Sequence, residues 1–513
     1  MRFSPSSSVV TKIARGSTTS DPTSTKSLPP AVNGIALLGV LPTLFTQGIR
    51  AAIASLYTKF GSVFTINLFG SKITFLIGPE VSVHFFQGAE SEISQGEFYE
   101  FTVPMFGQEV GHGVDFATRN EQNSFCIDAL KTSKLRSYVD PMLQEVEVLP
   151  AMNRTSALLD SYIYTLNLMS SNLQCDNVFM FPLDYFEKWG QEGIIDLKHE
   201  LDQVLMLISG RCLLGKEIRE KMLDEFYTLF HEIENSLSLI NFFLPYIPIP
   251  ANRRRDAARI KLKEILSETV RSRKRYNQVE EDALQNLIDS KYKDGRSISE
   301  DEVTGLMIGL IFAGEHTNSL SSAWTGSYLL NDAKCLMTAI EEQKKIIKKF
   351  GRRIDYHVLL EMYTLDRCIK EALRLHPTAP MLLRKVHKHF TVWTKEGHEY
   401  EIPAGHTIVS PTVLNHYIPY IYKDPEVYDP ERFGPGREED KVGGKFSYTS
   451  FSGGRHACPG EAYGYMQMKV IWSYLLRNYE LKLLSPFPKE EWRKFALKPQ
   501  GKVMVSYKIR QLA

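Results

Sequence analysis

Residues 451–460 read "FSGGRHACPG". Three glycines, a proline, Arg455 and His456 surround one cysteine, Cys458. A core thiol needs no such company. A thiolate just before a helix is stabilised by the helix dipole and the free N–H groups of its first turn. The stretch "EAYGYMQMKVIWSYLLRNY" resumes a helical pattern directly after Gly460. Gly453, Gly454 and Gly460 permit positive φ and close approach of a flat group. Arg455 and His456 offer positive charge to a nearby anion. Pro459 has no N–H to point at the sulfur. Either this leaves the thiolate richer in electrons, or the ring simply stiffens the turn before the helix.

Three chemistries compete for this loop. A cysteine nucleophile needs a base, and His456 lies only two residues away on the same loop, a poor geometry. A zinc centre needs further sulfur or nitrogen ligands. A haem-thiolate centre needs one axial cysteine, a close glycine-rich loop and cations for the propionates. Only the third uses every residue.

The rest of the composition is compatible with that reading. The chain has 513 residues, 43% apolar and 24% charged, enough to bury a large core. Its 61 basic and 60 acidic residues leave a net charge of +1, which gives no case for nucleic acid. Six scattered cysteines, Cys126, Cys175, Cys212, Cys335, Cys368 and Cys458, form no CxxC pair and fit a reducing compartment. Residues 1–28 are rich in Ser and Thr, with four basic residues and one acid, as in a transit-type leader or a disordered tail. The best apolar run, "IALLGVLPTLF" (35–45), is too short to span a membrane and is broken by Pro42, which leaves interfacial contact as the expectation.

Along the chain, "SLPPAV" (27–32) reads as a stiff hinge. "SVFTINLF" and "GSKITFLIG" read as paired strands around a Gly-Ser turn. Residues 120–350 follow a helical period, interrupted by the proline-rich "FFLPYIPIPANRRRD" (242–256). Ser299 and Glu302 have capping-box spacing, and the helix they open runs apolar on nearly every side to Leu330, as a buried central helix should. A second helix, roughly 355–375, is stopped by Pro377. "FTVWTKEGHEYEIPAGHTIV" reads as strands with a Gly turn. No internal repeat is visible. The fold class expected is mainly α with small β-sheets.

"FSGGRHACPG" resembles the haem-binding loop of the cytochromes P-450, F-x-x-G-x-[HR]-x-C-x-G, through Phe451, Gly454, His456, Cys458 and Gly460. "EALR" supplies the family's E-x-x-R pair, Glu371 and Arg374, on one helix face. "DPERF" supplies Arg432 to complete a Glu–Arg–Arg network. "AGEHT", Ala313 to Thr317, resembles the oxygen-side motif, with His316 where most members have an acid. That histidine, "YEFTVPMFGQEV" (99–110) and the stretch around "YDPERFGPG" resemble the sterol 14α-demethylases, particularly the plant obtusifoliol type.

The resemblance implies one P-450 domain over residues 29–513. It implies haem b held by Cys458, O₂, and electrons from NADPH through a cytochrome P-450 reductase. It implies a sterol whose methyl group is oxidised in three rounds and released as formate. It places Tyr99, Arg384 and His456 on the haem propionates, and His316 and Thr317 in proton delivery. Gly314 would give room on the oxygen side, and the Thr317 hydroxyl would open the helix ladder. Tyr99, Phe101, Phe106, His112, Phe312, Ala313, Ala379, Met381 and Leu383 would line a large apolar substrate pocket. It also implies the cytosolic face of the endoplasmic reticulum, with peripheral membrane contact. Four positions depart from the branch: His112 replaces an aromatic, Gly113 an Asp, Glu315 a Gln and Asn318 a Ser. The usual basic residue near Asn123–Ser124 is missing. A relative that hydroxylates or epoxidises a triterpene such as β-amyrin, and a haem- or lipid-binding protein without turnover, are the alternatives.

Overall fold

The computed structural model describes residues 27–68, 70–146, 185–238, 241, 244–491, 497–510 and 512. The leader-like residues 1–26 and Cys175 lie outside the described residues. The architecture is mainly α with small sheets, as the periodicity predicts. Its axis is the 32-residue helix Glu300–Asn331. The Ser299–Glu302 capping box forms in both directions, which fixes where this helix starts. Helices Leu197–Ser209, Pro250–Tyr276, Tyr363–Leu375 and Glu461–Asn478 pack around it. Together they bury the largest apolar cluster, which runs from Phe101 to Leu512.

A six-stranded sheet lies to one side, in the order Ala31–Val32, Val63–Leu68, Ser71–Leu76, Thr407–Ser410, Leu382–Val386, Ile93–Ser94. The predicted strand pair is its centre, with Val63 opposite Leu76 and Leu68 opposite Ser71. Phe390–Trp393 and Glu399–Ile402 form the separate hairpin that the Gly turn predicts. A three-stranded sheet joins Tyr479–Leu483, Met504–Ile509 and Glu192–Asp196. Among the described residues, this last strand interrupts the helical stretch 120–350.

Several boundaries differ from the sequence reading. The helix expected over 355–375 is two, Tyr356–Leu360 and Tyr363–Leu375. The proline-rich break ends at Ile249, because Pro250 opens the next helix at its first position, where a missing N–H costs nothing. Pro42 does not break the apolar run. It sits inside a helical segment, Gly34–Phe60, that bends instead at Gly48, where φ is 86°. This segment is long and apolar enough to cross a membrane, with a mean hydropathy of 1.4 over its best window and 17% of that window buried. The expected break at Pro42 is therefore moved to Gly48, which separates helical stretches 34–47 and 49–60.

Candidate functional site

The Cys458 loop is held from behind by helix Tyr363–Leu375. The Glu371 and Arg374 side chains, one turn apart on that helix, are fully buried and pair through two bonds of 2.7 and 2.9 Å. Arg432 Nε donates to the same Glu371 at 2.8 Å and is also fully buried. Arg374 donates on to the His416 carbonyl (2.6 Å). His416 Nδ1 lies 3.1 Å from the Arg374 carbonyl, and Nε2 accepts from the Thr449 N–H at 2.9 Å. These two contacts fix the tautomer. Burial, and then the Arg374 charge, push His416 down to about 3, so it stays neutral. Thr449, Ser450 Oγ (to the Leu373 carbonyl, 2.9 Å) and Tyr448 Oη (to Lys370, 3.1 Å) tie the loop to the helix. The Glu–Arg–Arg triangle expected from sequence is formed, and it positions the cysteine through backbone rather than by touching it.

Within the loop, the Cys458 N–H donates to the Phe451 carbonyl at 2.9 Å. Burial raises the thiol pKa, while N–H groups of Gly460 and Glu461 pull it back down. Cys458 is exposed by surface area although its surroundings are crowded, as at the floor of a cleft. Of the three glycines, only Gly454 has positive φ, at 60°. A Cβ there would overlap the Phe86 carbonyl. Gly453 is extended (φ −176°) and Gly460 ordinary (φ −87°), so the expectation holds at one position of three.

The cations are not those the loop advertises. Arg455 is exposed and donates to the Gln87 carbonyl. His456 is pushed down to about 4 by burial and by Arg384, Arg119 and Arg455, so it is neutral. Arg384 carries the charge. It is 1% exposed, its Nε has no partner, and its own strand supplies only the Leu383 carbonyl at 2.7 Å. Burial lowers its pKa, against contributions from Tyr99 and Glu90. With its amide turned so that the oxygen faces the guanidinium, Gln95 bridges Arg384 to the loop: that oxygen then accepts from Arg384 (3.1 and 3.2 Å) and the NH₂ donates to His456 Nδ1 (3.2 Å).

Arg119, on helix Phe116–Ala129, is a basic residue one turn before Asn123. It reaches Glu90 at 3.0 Å and His112 Nδ1 at 2.9 Å. His112, stacked on Tyr99 at 5.2 Å, is held down at about 4 by burial, Arg119 and His456. Gly113 explains its own departure, since a Cβ there would overlap the Gln108 backbone. A buried guanidinium with an orphaned Nε, beside Tyr99, Gln95 and a neutral His456, fits a haem carboxylate. The exposed Cys458 sulfur fits the iron.

On the central helix, Ala313 is exposed although the helix is otherwise largely buried, which marks the cavity side. A Cβ at Gly314 would meet Leu213 and Tyr463 at 3.9 Å, an ordinary contact distance. Thr317 Oγ1 donates to the Ala313 carbonyl at 2.6 Å, and the helix stays continuous through this bond rather than opening. His316 Nδ1 lies 3.1 Å from Glu234, whose other oxygen is 2.8 Å from His231 Nδ1. Burial would raise the Glu234 carboxyl, but His231 and His316 outweigh it and hold it down at about 2. Asn318 turns away to Gln467 at 2.5 Å.

Phe312 packs on Phe106 at 5.6 Å, on Phe230 at 6.3 Å and on His316 at 6.4 Å, and Tyr99 stacks on Phe101 at 6.3 Å. The Phe and Tyr residues named, Tyr99, Phe101, Phe106, Phe230 and Phe312, belong to the helical cluster. Met381 and Leu383 pack on the sheet, and Ala379 on a third cluster. The predicted pocket lining is thus divided among three cores. Sequence reasoning missed Glu90, Gln95, Arg119, Phe230 and Glu234. Only Arg119 carried a signal, as a cation one helical turn from the expected position.

This combination of a helical fold, a cysteine loop before a long helix and a buried Glu–Arg–Arg triangle defines a haem-thiolate protein. The cytochrome P-450 family model matches residues 29–505, and the chain belongs to that family. It is 48% identical over 487 residues to an obtusifoliol 14-alpha demethylase of Sorghum bicolor, covering 95% of this chain and 92% of that one. A sterol 14-demethylase of Arabidopsis thaliana is 46% identical, covering 98% and 96%. A lanosterol 14-alpha demethylase of Bos taurus is 31% identical, covering 95% and 89%. In fold, the chain is similar to retinoic acid-bound cyanobacterial CYP120A1, with a TM-score of 0.73 at 20% identity, covering 95% of this chain and all of that one.

Proposed function

We propose that this chain is a P-450 monooxygenase that removes the 14α-methyl group of a plant sterol such as obtusifoliol. The observation that carries the reading is the 48% identity along nearly the whole of both chains to the Sorghum bicolor enzyme. Family membership brings haem iron, O₂ and a redox partner that supplies electrons. The haem is haem b, held by Cys458, and the electrons come from NADPH through a cytochrome P-450 reductase. Bound haem supplies activation of O₂ at its iron.

The chain's own residues do the rest. Arg384, Tyr99 and His456 hold the propionates, aided by Gln95 and Arg119. Glu371, Arg374 and Arg432 fix the loop, with Phe451, Gly454 and Gly460 shaping it. Phe101, Phe106, His112, Phe312, Ala313, Ala379, Met381 and Leu383 enclose a rigid apolar ring system and exclude water. His231, Glu234 and His316 form a chain of contacts from the half-exposed His231 inward, and His316 and Thr317, through water, deliver protons to the cavity. The P-450 domain runs over 29–513. Segment Gly34–Phe60, with Ile35 83% and Phe45 64% exposed, attaches it to the cytosolic face of the endoplasmic reticulum.

The test feeds obtusifoliol and β-amyrin separately to the enzyme reconstituted with reductase and reads the products by mass spectrometry. A 14-demethylated sterol is expected. Oxidised β-amyrin with unchanged obtusifoliol would move the substrate to a triterpene. Haem without NADPH-dependent product from either would favour a binding protein.

A further inference from the structure

Asn318 follows Thr317 directly and stands where the sterol demethylase branch has Ser. It is buried, and it joins two helices. Its Nδ2 donates to Gln467 Oε1 at 2.5 Å. Gln467 is fully buried on Glu461–Asn478, the helix that follows Cys458. The Gln467 NH₂ donates in turn to Tyr463 Oη at 3.0 Å and to Ser209 Oγ at 3.3 Å, at the end of helix Leu197–Ser209. Both ends of this amide are therefore committed, and its orientation is set.

The room for Asn318 comes from the cysteine helix. A Cβ at Gly464 would stand 2.7 Å from Asn318 Oδ1, 3.5 Å from its Cγ and 3.6 Å from its Nδ2. The asparagine amide thus lies over the bare Cα of Gly464. Gly464 sits inside a helix, where a glycine weakens the backbone, so close approach accounts for it. A second tie joins the same two helices further from the Cys458 loop. Trp472 Nε1 donates to Ser322 Oγ at 3.0 Å, and a Cβ at Gly326 would overlap the Trp472 ring. Positions 318, 322 and 326 are four apart, so both ties lie on one stripe of the central helix. At each tie one helix supplies a glycine and the other the side chain that covers it.

We propose that Asn318, seated on Gly464 and bonded to Gln467, is a positioning residue that sets the spacing between Thr317 and the cysteine helix, and with it the width of the haem slot on the oxygen side. The inference rests on the reading of Cys458 as the iron ligand. The Thr317 hydroxyl is bonded within its own helix, so its place follows where that helix sits. The Gly464 N–H donates to the Gly460 carbonyl at 2.8 Å, one turn back toward Cys458. In a close-packed seam a displacement of one helix is passed to the other. A serine at 318 is too short to carry the amide bond and leaves the space over Gly464 unfilled.

The test compares the haem-loaded chain with Asn318→Ser, Gly464→Ala, the double variant and Ser322→Ala. The Fe–CO stretch of the ferrous–CO complex, read by resonance Raman, reports the space beside the iron. Tm and the fraction of NADPH converted to product with reductase are read beside it. Asn318→Ser should shift the stretch and lower the coupled fraction several-fold. Gly464→Ala should shift the stretch more, because its Cβ displaces the amide. The same alanine should add little in the Asn318→Ser background, where the overlap is gone. Ser322→Ala should lower Tm and leave the stretch in place. An unshifted stretch in haem-loaded Asn318→Ser overturns the proposal even if Tm falls, since packing alone then explains the bond. So do equal effects of Gly464→Ala in both backgrounds, or a shift in Ser322→Ala as large as that in Asn318→Ser. If Gly464→Ala alone takes up no haem, the double variant should regain it, and its failure to do so overturns the pairing. A parent chain without a thiolate-type CO band would bring down the Cys458 reading and this inference with it, a result distinct from an unshifted stretch in a loaded variant.

Discussion

Two charged clusters flank the cavity, and they are built on opposite terms. Behind the Cys458 loop, Glu371 receives both Arg374 and Arg432, and Arg432 continues to Glu439. The remaining donors reach carbonyls of His416, Pro425, Lys423 and Val427. Across the central helix, Glu234 alone takes both imidazoles, His231 and His316, and the nearby buried Glu315 Oε2 and Tyr227 Oη have no hydrogen bond. The first arrangement is closed; the second leaves buried polar atoms without partners. A saturated network suits a residue that must not move. An unsaturated one suits protons that must.

The largest effect is expected on the saturated side. Glu371→Ala strands two buried guanidinium groups, a loss of about 3–5 kcal/mol. Apoprotein or aggregate should result, read as haem per polypeptide. Full haem occupancy would place the triangle outside the folding of the loop. His416→Ala removes the acceptor for the Thr449 N–H, a smaller loss of about 1–3 kcal/mol for one buried unpaired donor. It should lower Tm with haem retained; a variant whose Tm matches the parent's would show that the loop is held without this link.

On the unsaturated side, folding should survive and coupling should suffer. Thr317→Ala should bind substrate yet divert reducing equivalents to peroxide. Equal coupling in Thr317→Ala and the parent would remove the hydroxyl from the path. Glu234→Gln tests the electrostatics directly. The folded carboxyl is depressed to about 2 from an ordinary 4.5, so its stabilising contribution is complete above about 4.5 and is lost as pH falls through about 2. The gap in Tm between parent and variant should therefore be widest near neutral pH and close on acidification. A gap that widens in acid would reverse the assignment of charge.

The same contrast decided what could be read from the sequence. Cys458, Glu371, Arg374 and the Ser299 cap act over fixed local spacings, so their types and intervals carry the meaning. Arg432 was legible only through its order in the family pattern. Glu234 and Asp202 have no such spacing; they meet His316 because separate helices pack there. His456 looked cationic because neither its burial nor the neighbouring Arg384 and Arg119 is visible in one dimension. Arg119 is legible only as a basic residue one turn before Asn123, because a helix offers the same face a turn away. Pro42 misled for the opposite reason: a local rule was applied where the surrounding apolar helix overrides it.

The smallest expected effect lies in the proline that follows the cysteine. The Cys458 sulfur already receives N–H groups from Gly460 and Glu461, which lower its pKa. A residue other than proline at 459 could add a third. Each such bond draws electron density from the thiolate, so the native proline should keep the iron potential low. The opposing account is mechanical. Pro459 sits just before the N-cap Gly460 of helix Glu461–Asn478, where a fixed φ stiffens the entry. Pro459→Leu separates the two, because the loop's other anchors, the Cys458 N–H to Phe451 and His416 to Thr449, are untouched. The electronic account expects a higher ferric/ferrous potential with haem fully bound. A constant potential with a lower Tm would assign the proline to the backbone alone, and would make the loop side rigid by design down to its last residue.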